Sequence, residues 1–484
     1  MSEKYSILPF QFSYRKDGSV LLVNEAGDFL FADGQEFDLF VRHELPMENE
    51  LFFLLKSHNF LYQGDYNIYL RKIAARYRSR KTFLREFTML HMMVITLRCN
   101  QKCEYCQVSC AEEDAYKYDM SKEVALKIVD MIFSAPTKYP KIEFQGGEPL
   151  LNWEVIETVV LYAEEKAKSL GKKVDFVICT NLTLITDDKI LFCKEHNIML
   201  STSLDGPQSV HDSCRKTRLG EGTHALFKEK LQHCRQLLGH DAVDALMTTS
   251  AFSLDHMKEI IDEYIQLGMS GIFIRALNPY GFAAEKSEIL GYGMDKFVEK
   301  YFDALNYIFE INKYRFFPEY FATLLFSRIL SPFSTGFVDL QSPAGAGISG
   351  AIYDYDGSVF PADEARMLAR MGDRHFCLGN VCTDRYEDIF AGTLMKEITA
   401  SSCIEITPSC AWCAYQSYCG TDPVRNYLET GNELRRMHGS PFCEKNKAIF
   451  DGLFDILKHA DSKTMDIIWS WINKNPHLVN YERV

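Results

Sequence analysis

Apolar and polar positions alternate in two different ways along the chain. Within about the first 85 residues, the strand-like runs "SVLLVN" and "DFLFA" are joined by "EAG", where Gly27 suits a left-handed turn. Two helical patterns follow, "GQEFDLFVRHEL" and "ENELFFLLKSHNFL", and the first places Phe37, Phe40 and Val41 on one face. Two strands with short helices predict a winged-helix-like α+β module, or equally a cap that packs on the next domain.

The segment "RKIAARYRSRKTFLRE" that follows is rich in arginine and lysine. A charge run of this kind is typical of a solvated helix that links two domains. The alternative is a surface that binds an acidic peptide. The sequence pattern alone leaves both readings open.

From residue 89 to about 280, strand-like apolar runs alternate with helical patterns such as "SKEVALKIVDMIFS", which has Ser121 as its N-cap, and "DHMKEIIDEYIQLG". This alternation indicates an α/β fold with a parallel sheet. Six units fit a partial (β/α)6 TIM-type barrel, whose chemistry lies at the carboxyl ends of the strands. The predicted strands are "HMMVITL", "KIEFQ", "VDFVICT", "IMLSTSL", "AVDALMTT" and "GIFIRAL".

Beyond the alternating region the pattern becomes helical and aromatic-rich up to about residue 335, and the loop "QSPAGAGISG" then marks a boundary. A turn-rich and cysteine-rich stretch follows, and the chain closes with an amphipathic helical pattern. We therefore expect four segments: an α+β module at 1–85, the partial barrel at 86–335, a cysteine-rich domain at 336–450 and a helical tail at 451–484.

Composition narrows the class of protein. The 484 residues are 47% hydrophobic and carry a formal net charge of −13, which argues against a general nucleic-acid binder. The N-terminal sequence has no signal-peptide pattern, and no apolar run reaches the length of a membrane span. The 15 cysteines are then best interpreted as reduced thiols and metal ligands. We expect a cytoplasmic protein that binds neither nucleic acid nor membrane.

Three cysteines in "CNQKCEYC", Cys99, Cys103 and Cys106, directly follow the first predicted barrel strand. Three soft ligands so close together indicate a metal site. One alternative is a zinc ion whose fourth ligand is Cys110 or a distant histidine. The other is a [4Fe–4S] cluster, in which three thiolates leave one iron open to an exogenous ligand.

The triplet and its surroundings resemble the radical S-adenosylmethionine (SAM) superfamily. The spacing is the superfamily signature, Tyr105 is the aromatic residue usual before the third cysteine, and "GGEP" at 146–149 follows the second predicted strand as it does in the family. The resemblance implies that the triplet holds a [4Fe–4S] cluster whose open iron chelates SAM. Cleavage of SAM then gives a 5′-deoxyadenosyl radical, which is chemistry of the cofactor.

The same resemblance implies further roles. The "GGEP" loop receives the methionyl amino group, and Asn181 faces the ribose although the usual Thr-Asn-Gly is here Thr-Asn-Leu. Ser203 contacts the ribose or the methionyl carboxylate, and Arg215 either pairs with that carboxylate or is a surface arginine. The implied cofactor-binding residues are Tyr105, Gln145, Gly146, Gly147, Glu148, Asn181, Ser203 and Arg215. The cysteines without an implied role are Cys110, Cys179, Cys193, Cys214 and Cys234.

A second group of cysteines lies in "CAWCAYQSYC" and shortly after it. The segment resembles the SPASM extension of peptide-modifying radical enzymes, which implies that its cysteines saturate one auxiliary [4Fe–4S] cluster, with zinc as the alternative. A saturated cluster relays electrons or is structural. The implied ligands are Cys410, Cys413, Cys419 and Cys443.

SPASM relatives hold a second, inner auxiliary cluster, and here the sequence departs from them. The expected cysteines are replaced by Ala351, Ala362 and Pro423, and only Cys382 is retained. Cys377 and Cys403 have irregular spacings. We therefore expect one auxiliary cluster and no second one.

The first 85 residues resemble PqqD-like leader-recognition domains, whose sheet edge takes a precursor's leader as an added strand. With "FIRALNPYGFA" and "FPADEARML", the whole chain most resembles radical maturases of His-Xaa-Ser-type peptide systems. The implied function is side-chain crosslinking of a ribosomally made precursor peptide, with a flavodoxin or ferredoxin as electron donor. Candidate bases are Asp205, Asp363 and Glu364. The alternatives are oxidation of a protein cysteine or serine to formylglycine, and a non-enzymatic zinc-binding peptide adaptor.

Overall fold

The computed structural model describes residues 5–278, 280–434, 439–479 and 481. Pro279 of "FIRALNPYGFA" and the last residues of the expected tail lie outside this range. The chain divides into two compact units built from separated segments. Unit 1 comprises Met1–Arg85, Ala322–Gly345 and Thr399–Lys474, and unit 2 comprises Glu86–Phe321, Ala346–Ile398 and Asn475–Val484. The N-terminal module and the second cysteine group thus belong to one unit, although the sequence pattern assigns them to different segments.

The N-terminal module forms two small antiparallel sheets. Strand β3 (Val20–Asn24) is buried along its whole length. It pairs with β2 (Phe10–Tyr14) on one side and with β4 (Phe29–Ala32) on the other, while β1 (Ser6–Ile7) pairs with β5 (Leu61–Tyr62). Gly27 has a φ of 76°, as the predicted left-handed turn requires. The elements are β1 (Ser6–Ile7), β2 (Phe10–Tyr14), β3 (Val20–Asn24), β4 (Phe29–Ala32), α1 (Gly34–Val41), α2 (Glu50–Ser57), β5 (Leu61–Tyr62), α3 (Tyr66–Arg80) and α4 (Phe83–Glu86).

The predicted helices of this module are confirmed, and their apolar faces build its core. Asp33 caps α1 and Asn49 caps α2, each by accepting a hydrogen bond from a backbone N–H of the first turn. Phe37 and Phe40 are buried as the periodicity predicts, whereas Val41 is 38% exposed. The core comprises Tyr5, Val20, Leu22, Ala32, Phe37, Phe40, Leu45, Leu51, Phe52, Leu55, Phe60 and Leu61.

The basic segment is helical, as its pattern predicts, and none of the residues of α3 is buried. Two arginines attach it to the module. Arg76 pairs with Asp28 at 2.5 Å, and the Nε atom of Arg80 donates to the carbonyl of Ala26 at 2.6 Å. The segment is therefore a solvated helix anchored at its carboxyl end.

Unit 2 begins with alternating strands and helices. Ser121 accepts a hydrogen bond from the N–H of Val124, which confirms it as the N-cap of helix α5 (Lys122–Ser134). The elements are β6 (Leu90–Thr96), α5 (Lys122–Ser134), β7 (Lys141–Gly146), α6 (Trp153–Leu170), β8 (Asp175–Cys179), α7 (Asp187–Glu195), β9 (Met199–Ser203), α8 (Gln208–Cys214), α9 (His224–Leu238), β10 (Val243–Leu246), α10 (Met257–Gln266), α11 (Gly281–Glu285), α12 (Ser287–Leu290) and α13 (Met294–Asn312). Short 3₁₀ turns cover Tyr116–Tyr118, Pro149–Asn152, His240–Ala242 and Ser253–His256.

The remaining elements are shared between the two units. They are α14 (Tyr320–Leu330), β11 (Gly350–Tyr353), β12 (Ser358–Phe360), α15 (Asp363–Arg370), β13 (Gly379–Asn380), α16 (Tyr386–Phe390), α17 (Thr393–Ser401), α18 (Pro423–Thr430), α19 (Pro441–His459), α20 (Ser462–Ile472) and a 3₁₀ turn at Pro476–Leu478. Within the described part of the chain, no helix is both long and apolar enough to cross a membrane.

The strands of unit 2 form one sheet in the order β10-β9-β8-β7-β6-β11-β12-β13. Strands β6 to β10 are parallel, and their registers pair Met93 with Phe144 and Ile178 with Leu200. Parallel strands leave their carboxyl ends at one edge of the sheet, so the loops after β6, β7, β8 and β9 meet there. The predicted α/β fold is confirmed.

The sixth parallel strand is not the one that the sequence pattern predicts. Within "GIFIRAL" only Ile272 forms a β-bridge, and its partner is Glu319. Two later backbone N–H groups donate to side chains and not to a neighbouring strand: Ile274 N donates to the carboxylate of Glu319, and Leu277 N donates to the hydroxyl of Tyr292. The sixth parallel strand is β11, which pairs with β6. This pairing joins residues far apart in sequence and has no local signal.

In unit 1, helix α19 packs on the N-terminal module. The rings of Phe29 and Phe454 lie 5.1 Å apart, and Arg15 pairs with Asp451 at 3.1 Å. The hydroxyl of Tyr418 donates to the carbonyl of Gly27 at 3.0 Å. Helix α19 continues across residue 450, where the sequence pattern places a boundary.

Candidate functional site

Strand β6 leads into the loop that carries the cysteine triplet. Cys99 is 8% exposed, and Cys103 and Cys106 are partly buried. Backbone hydrogen bonds hold the loop on both sides, from Cys99 N to Ala111 O at 3.3 Å and from Glu104 N to Cys214 O at 2.9 Å. The protein itself therefore fixes the conformation of the loop.

The thiols of this loop gather around Gln101. Its backbone N–H donates to Cys99 Sγ at 3.4 Å, its side-chain oxygen accepts from Cys103 Sγ at 3.9 Å, and its carbonyl accepts from Cys110 Sγ at 3.8 Å. Burial raises the pKa of Cys103 to about 12, so this thiol keeps its proton unless a cation replaces it. Iron is such a cation, and a set of soft donors in one fixed loop fits an iron–sulfur cluster.

The "GGEP" loop after β7 lies against the chain that leaves β6. Gly147 N donates to Thr96 O at 2.9 Å and Glu148 N donates to Arg98 O at 2.7 Å. A Cβ atom on Gly146 would lie 2.2 Å from Thr96 O, and one on Gly147 would lie 2.2 Å from Arg98 O. Both glycines are thus required by the approach of backbone to backbone.

Glu148 ties the same loop to the end of β8. Its carboxylate is fully buried and accepts hydrogen bonds from Thr180 Oγ1 at 2.7 Å, from Asn181 N at 2.8 Å and from Leu150 N at 3.0 Å. Burial raises the pKa of Glu148 to about 7. The carboxylate therefore joins the loops after β7 and β8, and its implied contact with a methionyl amino group stays a prediction.

Asn181 connects the loop after β8 to the cysteine loop. Its side-chain nitrogen donates to Asn100 Oδ1 at 2.9 Å, and Asn100 in turn donates to Thr183 Oγ1 at 2.8 Å. Leu182, where the family usually has glycine, has a φ of 64° and is fully buried. The departure from Thr-Asn-Gly therefore leaves the left-handed turn in place.

The next two expected residues lie on β7 and β9. Gln145 donates to Glu143 Oε1 at 2.6 Å, and the thiol of Cys179 donates to the same oxygen at 3.3 Å. Ser203 is partly buried at the end of β9, in register with Leu246. Sequence reasoning missed Glu143, although its position two residues before Gln145 on one strand places both on the same face.

Tyr105, Asp205 and Arg215 form one buried network behind the cysteine loop. Asp205 is 2% exposed and accepts hydrogen bonds from the hydroxyl of Tyr105, from Arg215 Nε at 2.9 Å and from Thr248 N at 3.2 Å. The guanidinium of Arg215 also lies 5.3 Å from the centre of the Tyr105 ring. With its acceptors engaged in this way, Asp205 is better suited to position Arg215 and Tyr105 than to act as a base.

The segment that lacks the inner-cluster cysteines contains a buried arginine instead. Ala351 lies buried on β11, and Ala362 directly precedes α15. One helical turn after Ala362, Arg366 is fully buried; its Nε atom donates to Asp363 Oδ1 at 3.1 Å, and neither Nη atom has a hydrogen-bond partner within the described ranges. Sequence reasoning missed this residue because arginines are rarely buried.

The four cysteines of the second group come together in unit 1. Burial raises the pKa of Cys410 to about 12, and the neighbouring Cys413 and Cys443 add to the shift. Burial also raises the pKa of Cys419, with the other three cysteines contributing. Four mutually interacting, partly buried thiols match the donor set of a saturated cluster.

The other cysteines of the C-terminal half do not join this group. Cys377 accepts a hydrogen bond from Arg374 at 3.5 Å, Cys382 is exposed, and Cys403 donates to the carbonyl of Thr399 at 3.4 Å. Among the residues that the structure describes, no group of three or more histidine, cysteine or acidic side chains is arranged to hold a single metal ion.

Comparison with known proteins identifies one part of the chain. Residues 93–264 match the family model described as the radical SAM superfamily. The radical SAM cyclopropyl synthase TigE of Paramaledivibacter caminithermalis is 26% identical over 303 residues, which cover 60% of this chain and 59% of TigE. This chain therefore spans less than two thirds of that relative.

Solved structures show the same fold over more of the chain. The structure of anSMEcpe with bound AdoMet has a TM-score of 0.64 at 18% identity and covers 76% of this chain and 98% of that one. SuiB of Streptococcus suis, bound to the precursor peptide SuiA, has a TM-score of 0.52 at 14% identity and covers 89% and 98%. The family match at residues 93–264 confirms the resemblance to the superfamily, whereas the His-Xaa-Ser-type subfamily stays a prediction.

The close approach at Gly147 gives a first test. Replacement of Gly147 with alanine forces its methyl group into Arg98 O, so we expect a loss of about 1–3 kcal/mol in the free energy of unfolding and a lower iron content after anaerobic reconstitution. Gly171→Ala is the control for backbone strain alone, since its φ of 65° disfavours a side chain but the added methyl group meets nothing within 4 Å, and it should keep the iron content of the wild type. Equal iron content in the two variants would contradict the assignment.

The raised pKa of Glu148 gives a pH-dependent test. In the folded state the carboxyl group of Glu148 has a pKa of about 7, whereas its ordinary pKa is 4.5. The protonated group therefore stabilises the fold at low pH, and this stabilisation is lost as the pH rises from 4.5 to about 7. The stability of the wild type relative to Glu148→Gln should therefore fall by up to about 3 kcal/mol between pH 5 and pH 8. Urea unfolding measures it, and a difference that grows with pH would refute the shift.

Proposed function

The chain carries a radical SAM domain at residues 93–264, and on this premise we propose that it modifies a ribosomally made precursor peptide. The modification is a crosslink between a side-chain carbon and a second carbon or a heteroatom. The observation that supports the proposal is that hydrogen bonds join the cysteine loop, the "GGEP" loop and the loop of Asn181 at one edge of the sheet. The fold shared with SuiB, whose structure holds a precursor peptide, supports a peptide substrate.

In this proposal each part of the site has its own task. Cys99, Cys103 and Cys106 hold the [4Fe–4S] cluster, and with SAM bound the cofactor supplies the 5′-deoxyadenosyl radical. Glu148 fixes the loops that surround SAM and, because it is fully buried, excludes water from the space between them. Asp205 holds the guanidinium of Arg215 for the methionyl carboxylate.

The second group of cysteines, in unit 1, holds an auxiliary [4Fe–4S] cluster. Four thiolates saturate its irons, so the cluster has no open position for a substrate and relays electrons. A flavodoxin or ferredoxin is the proposed electron donor. The thiols at 410, 413, 419 and 443 are partly buried, which limits the access of water and oxidants to the cluster.

The N-terminal module binds the leader of the precursor at the free edge of β2. Within the described ranges, β2 pairs only with β3. Arg15 N donates to Ser19 O, and the alternation of an antiparallel ladder then turns the N–H groups of Phe12 and Tyr14 outward. Their side chains are 45% and 63% exposed. An added strand would take up these donors and cover the two rings.

Co-expression with the short peptides encoded next to the gene tests the function. We expect one of them to lose two hydrogens and to remain unreactive toward an aldehyde reagent, as measured by mass spectrometry. Cys103→Ala should abolish both this mass change and the formation of 5′-deoxyadenosine, while Cys193→Ala, which changes a buried thiol of α7, should retain both. An aldehyde in the product would establish formylglycine formation instead, and zinc without 5′-deoxyadenosine would establish the adaptor.

Leader binding is tested by removing one backbone donor from β2. Tyr14→Pro loses an outward N–H without loss of a bond to β3, and Tyr14→Ala is the control that loses only the ring. We expect weaker leader binding, by about 0.5–1.5 kcal/mol, and slower peptide modification in the proline variant, with unchanged SAM cleavage in the absence of peptide. Equal leader affinities, measured by fluorescence anisotropy, would exclude this edge.

A further inference from the structure

Cys110 is the fourth cysteine of the loop after β6, and the proposed function leaves it unused. Its Sγ atom donates to Gln101 O at 3.8 Å. Gln101 also donates its N–H to Cys99 Sγ at 3.4 Å and accepts from Cys103 Sγ at 3.9 Å. Cys110 therefore shares its hydrogen-bond partner with two of the three thiols that hold the cluster.

The backbone keeps Cys110 in this place. The residue that follows it, Ala111, donates its N–H to Leu97 O at 2.7 Å and accepts from Cys99 N at 3.3 Å. These bonds join the end of the loop to its beginning, so the backbone of Cys110 stays beside the cluster cysteines. Because folding already closes this loop, ligation of the cluster by Cys110 requires no further loss of loop entropy.

Two other thiols of unit 2, those of Cys179 and Cys193, lack this placement. Cys179 donates to Glu143 on β7, and Cys193 lies buried on α7. A purely structural thiol has no need of a place beside metal ligands. A cluster held by three thiolates, however, has one iron without a protein ligand, and Cys110 is a soft donor fixed beside two of the three.

We propose that the Cys110 thiolate ligates the fourth iron of the cluster while SAM is absent and leaves it when SAM binds. The inference rests on the proposed function, because it requires a [4Fe–4S] cluster on the other three cysteines. The exchange transfers no electrons. One iron–sulfur bond forms as the thiol gives its proton to solvent, and that bond breaks as the amino and carboxylate groups of SAM take its place and the thiolate regains a proton.

Cys110 then protects the resting cluster. An iron without a protein ligand is lost first on mild oxidation, which leaves a [3Fe–4S] cluster with its own paramagnetic signal. Cys110 holds that iron in the wild type, so the wild type without SAM should resist the conversion. Removal of the competing thiolate should also strengthen SAM binding.

Electron paramagnetic resonance of the full-length protein, reconstituted anaerobically and then oxidised with ferricyanide without SAM, tests the proposal. We expect about tenfold more [3Fe–4S] signal in Cys110→Ala than in the wild type. The control Cys193→Ala should behave as the wild type, and the auxiliary cluster contributes equally to all three. SAM added before oxidation should abolish the difference. Equal signals in Cys110→Ala and the wild type without SAM would overturn the proposal.

Alkylation of the wild type alone gives a second measurement that does not depend on the folding of a variant. Iodoacetamide should modify Cys110 about tenfold more slowly in the reconstituted protein without SAM than in the iron-free protein. The three cluster cysteines should be slowed in the same way. If those three are protected and Cys110 reacts as in the iron-free protein, this inference fails and the proposed function stands. If reconstitution protects none of the four, the proposed function itself fails.

Discussion

The approach of residues 146–148 to residues 96–98 is the contact on which the rest of the site depends. Backbone donors of Gly147 and Glu148 bond Thr96 and Arg98 at 2.9 and 2.7 Å, at a separation that admits no side chain on either glycine. Cys99 follows Arg98 directly, so the contact sets where the cysteine loop begins. It also places the carboxylate of Glu148 against the backbone of Asn181. One contact between two strand ends thereby aligns three loops.

The two cysteine groups share one physical problem and, in our proposal, solve it differently. Buried thiols hold their protons strongly, as the pKa values of about 12 at Cys103 and Cys410 indicate, and iron compensates the cost of losing them. The group in unit 1 has four thiols for four irons and is saturated. In the group in unit 2, three thiolates ligate the cluster and Cys110 lies beside them. The fourth iron of that cluster can therefore exchange its ligand. The same ligand chemistry thus serves electron transfer in one place and cofactor binding in the other.

Local signals in the sequence predict much of this structure, since they depend on neighbouring residues. The turn at Gly27, the cap at Ser121 and the position of the cysteine loop after β6 follow from spacing and residue type. The remainder depends on contacts between distant segments. Strand β11, which pairs with β6, is the sixth parallel strand in place of the predicted "GIFIRAL" strand, and Arg15 pairs with Asp451 across more than four hundred residues. The bonds of Glu143, the burial of Arg366 and the contacts of Cys110 likewise arise only once the fold is formed.

The central claim is that this site takes a hydrogen atom from a peptide side chain, and isotope transfer tests it most directly. The precursor is made with deuterated side chains, and the 5′-deoxyadenosine formed during a single turnover is analysed by mass spectrometry. Our account predicts that it carries one deuterium atom for each peptide modified. Peptide modification accompanied by unlabelled 5′-deoxyadenosine, or by none, would contradict the account.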